Sequence, residues 1–311
     1  MRVIFMGTPD IAVPTLNAIV EAGHEVVLVV SQPDKAVGRS KALKYTAVKA
    51  CALEHGIEVY QPERIRAEES VEYLKKYEAD IIVVEAFGQI VSKAILDMPK
   101  FGCVNIHTSL LPKYRGAAPI QWAILNGDAY TGVTTQLMNE GIDTGDIIMQ
   151  QEVIIAEEET TGTLFDKLAE AGAKLCVKTL EAIENNTATY TPQKEEEASH
   201  VGKITKEMGS IDWSKDVKEI ECLIRGLNPW PSAYTRLDDK NMKIWKAKVL
   251  SDEMISTPGC IVRVNKDSID VQAGNGILSL LEVQLEGKKR MTTDAFLRGY
   301  TVEEGTYFKR G

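Results

Sequence analysis

The run Val3-Ile-Phe-Met-Gly-Thr-Pro-Asp10, followed after Gly23 by Glu25-Val-Val-Leu-Val-Val30, decides the fold. Val3 to Met6 is a short apolar run closed by Gly7 and Pro9, which marks a buried strand rather than a helix. From Asp10 the chain reads as a helix, with Gly23 placed as the residue just past its end. Glu25 to Val30 is almost continuously apolar, the pattern of a strand covered on both faces. Strand, helix and strand in this order predict an α/β domain with a mostly parallel sheet. Gly7-Thr-Pro-Asp-Ile-Ala12 lacks the G-x-G-x-x-G glycines, which disfavours a nicotinamide dinucleotide.

Further along, helix 46–55 leads to strand-like Val59-Tyr60, and helix 67–77 leads to Ile81-Ile-Val-Val84. Glu85-Ala-Phe-Gly-Gln-Ile90 then forms a loop at a strand's carboxyl end, where ligands bind in open α/β sheets. The stretch Gly102-Cys-Val-Asn-Ile-His-Thr-Ser-Leu-Leu-Pro-Lys-Tyr-Arg-Gly116 repeats that arrangement. Asn105 and His107 lie two apart on strand 103–106 and its end, so both side chains take the same face. A turn carrying Pro112, Lys113, Arg115 and Gly116 follows, then helix 119–126, opened by Pro119, and a strand from Val133 to Met138. In Asn139-Glu-Gly-Ile-Asp-Thr-Gly-Asp146 two glycines frame Asp143 and let the backbone bend tightly around its carboxylate. Strand 147–155 and helix 160–185 close a domain of residues 1–186.

Residues 187–206 are polar and read as an extended linker to a second domain, 207–311. There, Val217 to Arg225 is helical. Five short strands follow, at 232–237, 243–250, 259–264, 268–273 and 277–284, with hairpin turns at Asp238-Asp239 and Gly274-Asn-Gly276. Such a set suggests a small barrel.

At 311 residues, 44% apolar and 26% charged, the chain has the composition of a globular protein with room for two cores. The start of the chain does not read as a signal peptide, and no apolar run is long enough to span a membrane. The cysteines at 51, 103, 176, 222 and 260 are scattered without ligand spacing, which suits reduced core residues in a cytoplasmic protein and no metal. The net charge of −9 belongs wholly to residues 1–206, with 20 Lys and Arg against 29 Asp and Glu; residues 207–311 carry 16 of each. Any nucleic-acid contact must therefore rest on local clusters. One is the loop Lys35–Lys44, with Lys35, Arg39, Lys41, Lys44 and no acid, suited to phosphate. Another is the strand bearing Lys243, Lys246 and Lys248, read as sharing one face, beside Lys288-Lys-Arg290.

The chain resembles the methionyl-tRNA formyltransferases over nearly its whole length. The matching segments are Phe5-Met-Gly-Thr-Pro-Asp10, Gln32-Pro-Asp34, Asn105-x-His107, Ser109-Leu-Leu-Pro112, Arg115-Gly-Ala-Ala-Pro-Ile-Gln121 and Gly141-Ile-Asp-Thr-Gly-Asp146. In the second domain they are Ile211-Asp-Trp213, Ile224-Arg-Gly-Leu-Asn-Pro-Trp-Pro231, Lys243-Ile-Trp-Lys246 and Gly287-Lys-Lys289. The resemblance implies a Rossmann-like N-terminal domain and an OB-like C-terminal barrel. It implies transfer of a formyl group from 10-formyltetrahydrofolate to the α-amine of methionyl-initiator tRNA, by a monomer. By the same resemblance Asn105, His107 and Asp143 are catalytic. Phe87, Gly88, Ser109, Leu110, Leu111 and Pro112 serve the folate, and Arg39 lies in the family's basic loop. Lys41, Lys246 and Lys248 complete the expected tRNA contacts.

Three positions depart from the family pattern. Lys113 replaces a common Arg, Tyr45-Thr-Ala-Val48 replaces a proline-rich end to the basic loop, and Glu85 puts a carboxylate where small residues are common. Glu85 is expected near the folate pocket. The catalytic trio suits the chemistry. His107 is the acid/base group, Asn105 offers an amide N–H to an oxyanion, and Asp143 orients the imidazole. A formyl-sugar transferase, a formyltetrahydrofolate hydrolase module and a noncatalytic RNA-binding protein are the alternatives. The first two would keep the trio and the last would not need it.

Overall fold

Val3, Ile4, Phe5 and Met6 are fully buried, and their strand, Arg2–Gly7, lies inside a seven-stranded sheet. In the computed structural model of the chain, which describes residues 1–37 and 42–309, the strands order as 146–154, 130–137, 103–107, 81–85, 2–7, 25–30 and 59–60. The five from Cys103–His107 to Val59–Tyr60 run parallel. Tyr130–Leu137 runs antiparallel to Cys103–His107, and Asp146–Ile154 antiparallel to Tyr130–Leu137. Chain length accounts for the second reversal, because a parallel return needs a crossover of roughly a dozen residues or more and the Leu137–Asp146 connection is a hairpin. It does not account for the first, since residues 108–129 are long enough for a crossover. Sequence periodicity gives no strand direction, so this edge of the sheet was not legible in it.

Two compact units interleave along the chain. The first holds Met1–Pro119, Tyr130–Ile154 and Phe165–Val201; the second holds Ile120–Ala129, Ile155–Leu164 and Gly202 onward. Residues 187–201, read as linker, thus belong to the first unit. Thr191 bridges to Ile147, and His200–Val201 pairs parallel with Arg115–Gly116.

Register decides which side chains meet. Asn105 lies beside Val84 on one neighbour and Gln136 on the other. Its face therefore continues the row of Ile82, Val84 and Cys103, which packs with Leu74, Val91 and Ile95. Ile106 and Glu85 take the opposite face, where helix Thr161–Glu184 passes with Gly172 against both. Glu85 therefore faces away from Asn105 and His107, and the expected extra carboxylate near the folate pocket is not there. It is 1% exposed, and neither oxygen has a hydrogen-bond partner among the described residues. Burial pushes its pKa up to about 8, against a weaker opposite pull from the Thr15 hydroxyl.

In the second unit a six-stranded antiparallel sheet is ordered 233–237, 240–251, 277–285, 269–272 and 261–264, with Met291–Thr292 added to 277–285. The segment Gly305–Lys309 hydrogen-bonds both edges, to Ile261 and Gly259 on one side and Arg236 on the other, and so closes the sheet. Trp213 stacks on Phe308 inside, with ring centroids 5.7 Å apart, and donates to Thr235 Oγ1 at 3.0 Å. Asp238 and Asp239 both have positive φ, 47° and 61°, as a two-residue hairpin turn requires. In strand Lys240–Ser251 the register shifts on either side of Lys246. The inward residues pass from Met242 and Ile244 to Ala247 and Val249, a change of parity. That bulge sets Lys243 outward together with Lys246 and Lys248, although a strict period of two would oppose 243 to 246.

The Glu85 carboxyl makes stability pH-dependent. Its folded-state pKa, about 8, exceeds the ordinary 4.5, so the folded state binds the proton better and loses stability as pH rises through that window. The slope contributed is at most about 1.4 kcal/mol per pH unit. Glu85→Gln is expected to flatten this decline in urea midpoints measured between pH 5 and pH 8; an unchanged slope would refute it.

Candidate active site

His107 closes strand Cys103–His107 and is 7% exposed. Its Nε2 lies 2.9 Å from the Tyr114 carbonyl oxygen, which only accepts, so Nε2 carries the hydrogen. In the neutral ring Nδ1 then holds the lone pair, and it lies 3.6 Å from Asp143 Oδ1. The structure therefore brings a carboxylate to the nitrogen that is free to take a proton. Asn105, one alternation earlier, is half-buried, and its side-chain amide has no hydrogen-bond partner among the described residues.

Asp143 reaches the ring because its hairpin folds back over the sheet. Its own backbone is left-handed, with φ 54°, a conformation that Asp tolerates better than most residues. Oδ2 accepts from the Gly116 amide at 2.8 Å, and Oδ1 from Gln136 Nε2 at 3.2 Å. Gln136 is 2% exposed, and its own oxygen accepts from the Gly145 amide at 3.0 Å. The framing glycines work by close approach: a Cβ on Gly145 would sit 1.9 Å from the Leu137 carbonyl oxygen. Positive φ falls on Asp143 itself.

The turn 109–116 is fixed from the neighbouring strands. Thr134, fully buried, donates its hydroxyl to the Ser109 carbonyl at 2.7 Å and accepts from the Leu111 amide at 3.0 Å. Gln150 Nε2 donates to the Leu111 carbonyl at 2.8 Å and to Thr134 Oγ1 at 2.9 Å. Ser109 Oγ donates to the Lys113 carbonyl at 2.6 Å, and Leu110 packs against Gly132. Ser109 and Leu111 are buried by these contacts, so a ligand at this turn meets backbone, Leu110 and Pro112 more than those two side chains.

Phe87 is similar. Its ring belongs to the core under the parallel sheet, and its carbonyl accepts from Thr8 Oγ1 at 2.9 Å and from Gln32 Nε2 at 3.3 Å. The exposed part of that loop is Ala86, Gly88 and Ile90, the last 68% exposed. Ile90 is an exposed apolar side chain in a loop at a strand's carboxyl end, which the sequence reading did not single out.

Arg39 and Lys41 lie outside the described residues. The flanks of their loop, Lys35–Val37 and Ala42–Lys44, pair antiparallel. Just before it, Asp34 accepts from Lys49 Nζ at 2.5 Å and from Gln61 Nε2 at 2.9 Å, and Lys49 also donates to Gln61. These contacts hold the Asp34 carboxyl below its usual range, against a desolvation pull that raises it. In the second unit Lys246 pairs with Glu158 at 3.0 Å, both well exposed. Trp245, which the sequence reading did not single out, has Arg290 at 4.7 Å and Lys243 at 5.5 Å from its ring centroid.

No group of His, Cys, Asp and Glu among the described residues is placed to hold a metal ion, and no described helix is long and apolar enough to cross a membrane. Residues 1–180 match the family model for formyl transferases, and residues 203–301 match that of the formyl transferase C-terminal domain. The chain is 63% identical over 308 residues to a methionyl-tRNA formyltransferase of Agathobacter rectalis, covering 99% of both chains. To the methionyl-tRNA formyltransferase of Clostridioides difficile it is 48% identical over 305 residues, covering 98% of this chain and 99% of that one. Among solved structures it superposes on a sugar 3N-formyl transferase crystallised with dTDP and 5-N-formyl-THF. The TM-score is 0.67 at 23% identity, over 93% of this chain and 99% of the other, a likeness of fold.

Thr134→Val keeps the shape of that side chain while leaving the buried Leu111 amide without its acceptor. The expected cost is about 1–3 kcal/mol in urea unfolding. A raised KM for the formyl donor should accompany it, and wild-type values of both would show that the turn does not depend on this hydroxyl.

Proposed function

We infer the reaction from a single premise: the chain belongs to the methionyl-tRNA formyltransferase family. It transfers a formyl group from 10-formyltetrahydrofolate to the α-amine of methionine on initiator tRNA. The roles that follow are our own assignment for its residues.

The observation that carries them is the position of His107, with Nε2–H bound to a carbonyl and Nδ1 facing a carboxylate at 3.6 Å. Attack on the formyl carbon requires a neutral amine, and an α-amine is largely protonated at neutral pH. That first proton is lost to solvent, and His107 Nδ1 accepts the second as the C–N bond forms. The Asp143 carboxylate, already oriented by Gly116 and Gln136, balances the imidazolium charge that results. As the new C–N bond forms, the carbonyl electron pair moves onto oxygen, and the unpartnered Asn105 amide donates to it. A donor so placed is worth about 2.7–4 kcal/mol. When that pair returns, the bond from carbon to the folate nitrogen breaks, and the proton held on His107 goes to the departing nitrogen. Electrons and protons balance without a further reactant.

The residues fit the donor. The exposed edge formed by Ala86, Gly88 and Ile90, with the turn 109–112, offers apolar surface and fixed backbone to a planar ring system. Phe87, Ser109 and Leu111 support that surface from within. On the tRNA side, Arg39 and Lys41 serve the first unit's basic loop, and Lys246 and Lys248 the outer face of the second unit's sheet, in each case through phosphate. Lys246 exchanges Glu158 for phosphate at small cost, because an exposed ion pair is worth about 0–1 kcal/mol. The enzyme acts as a monomer in the cytoplasm, where translation initiates.

Asn105→Ala and His107→Ala, assayed at saturating substrates by transfer of labelled formyl to methionyl-tRNA, should each lose about 100-fold or more in kcat. Near-normal kcat in either removes that residue's role. An amino-sugar nucleotide offered in parallel should accept no label. Lys246→Glu with Lys248→Glu should weaken tRNA binding and flatten its salt dependence, and an unchanged affinity would retire this patch.

A further inference from the structure

The polar segment after helix Thr161–Glu184 crosses the outside of the catalytic turn, and one side chain in it bonds three ways. Gln193 Nε2 donates to the carbonyl of Asp143 at 2.9 Å and to that of Gly145 at 2.7 Å. Its Oε1 accepts from Arg115 Nε at 3.0 Å, which fixes the amide's orientation, because a guanidinium only donates. Arg115 is 1% exposed, and its Nη1 forms a forked contact to Glu195, at 3.0 and 2.8 Å to the two oxygens. The same segment holds the turn through main chain. The Tyr114 amide donates to Ser199 Oγ at 2.8 Å, the Arg115 amide to the Ser199 carbonyl at 2.8 Å, and the Ala117 amide to the Val201 carbonyl at 3.1 Å.

Both partners of the His107 ring are therefore tied to one strap. The Tyr114 carbonyl that binds Nε2 belongs to a residue whose amide the strap fixes. The Asp143 carboxylate that faces Nδ1 sits on a left-handed backbone, φ 54°, whose carbonyl Gln193 holds. A non-glycine residue in that region costs about 1 kcal/mol or more and persists only when its surroundings impose it. Gln136 holds the Asp143 carboxylate and the Gly145 amide from the sheet side, and Asn139 donates to the Thr144 carbonyl within the hairpin; Gln193 holds the Asp143 and Gly145 carbonyls.

We propose that Gln193 is a positioning residue for formyl transfer, which, locked by Arg115, sets the Asp143 carboxylate against His107. The proposal rests on the role assigned above to Asp143. Gln193 itself touches neither His107 nor Asn105 by any hydrogen bond.

The test is a double-mutant cycle on kcat, using the full-length enzyme with saturating folate donor and methionyl-tRNA. Gln193→Glu keeps the acceptor for Arg115 and replaces both N–H donors with a carboxylate aimed at two carbonyls. It should lower kcat about 10- to 100-fold, the scale of a misplaced catalytic group, with KM for tRNA unchanged within about twofold. In an Asp143→Asn background the same change should cost less than about threefold, since residues acting as one unit are non-additive. If Gln193→Glu does not fold, as judged by thermal melting, Gln193→Met carries the same cycle. Full kcat in the Gln193 variants, or an equal loss in both backgrounds, overturns the inference while Asp143 keeps its role. Full kcat in Asp143→Asn alone overturns the role of Asp143, and this inference with it.

Discussion

The site depends on one hydrogen bond, from His107 Nε2–H to the Tyr114 carbonyl at 2.9 Å. It selects the tautomer, and with it which nitrogen is free to act as base. Reversed, the ring would present a hydrogen to the Asp143 carboxylate and no lone pair toward it. The bond requires the chain after strand Cys103–His107 to double back within seven residues, and the backbone shows how tight that is. Tyr114 and Ala118 are left-handed at φ 60° and 62°, and Gly116 lies between them at 102°. A Cβ on Gly116 would meet the Val201 carbonyl oxygen at 2.7 Å, so at that position the turn requires glycine. The conformational cost is offset by hydrogen bonds from elsewhere, namely Thr134 and Gln150 from the antiparallel hairpin and Ser199 to Val201 from the strap.

The antiparallel edge explains how a carboxylate from another loop reaches this ring. Strands 103–107 and 130–137 run in opposite directions, so Gln136 sits beside Asn105, and Thr134 beside His107. The hairpin leaving Leu137 must fold back along that face to bring Asp143 over Gln136. Gly145 permits this by passing hard against the Leu137 carbonyl. The antiparallel strand releases its loop at the Cys103 end, away from His107, which is why the loop must return along the face to reach the ring.

What the sequence discloses and what it hides divides along physical lines. Local periodicity suffices to place Asn105 and His107 on one face, and a carboxylate between two glycines suffices to suspect Asp143. Gln193 was invisible for a sound reason. It stands among Thr, Pro, Lys and Glu in a stretch with no periodicity, and its partners are main-chain carbonyls that any residue supplies. Glu85 was misplaced because facing depends on register across strands. Only the pairing of Val84 with Asn105 shows that its neighbour Glu85 takes the opposite side. Phe87 and Leu111, which the resemblance assigns to the folate, are buried side chains, because a large apolar side chain beside a core is drawn into it.

The outer face of the second unit shows the same limit in a strand. The sequence reading places Lys243, Lys246 and Lys248 on one face, although in a regular strand a three-residue spacing would set Lys243 opposite Lys246. The bulge at Lys246 cancels that offset, and on the neighbouring strand the inward residues also shift, from Leu278 and Leu280 to Val283 and Leu285. Two strands that slip together keep their pairing while turning different residues outward. Lys243, Trp245, Gln284 and Arg290 thereby gather on one side, with Trp245 Nε1 donating to Gln284 at 3.2 Å and Arg290 bound to Glu282. Because residues 207–311 have no net charge, long-range attraction cannot bring a polyanion to this surface, and any contact must be made by cations already placed. Fixed against an indole and a core strand, Lys243 and Arg290 lose less freedom on meeting a phosphate than two side chains loose in solvent would.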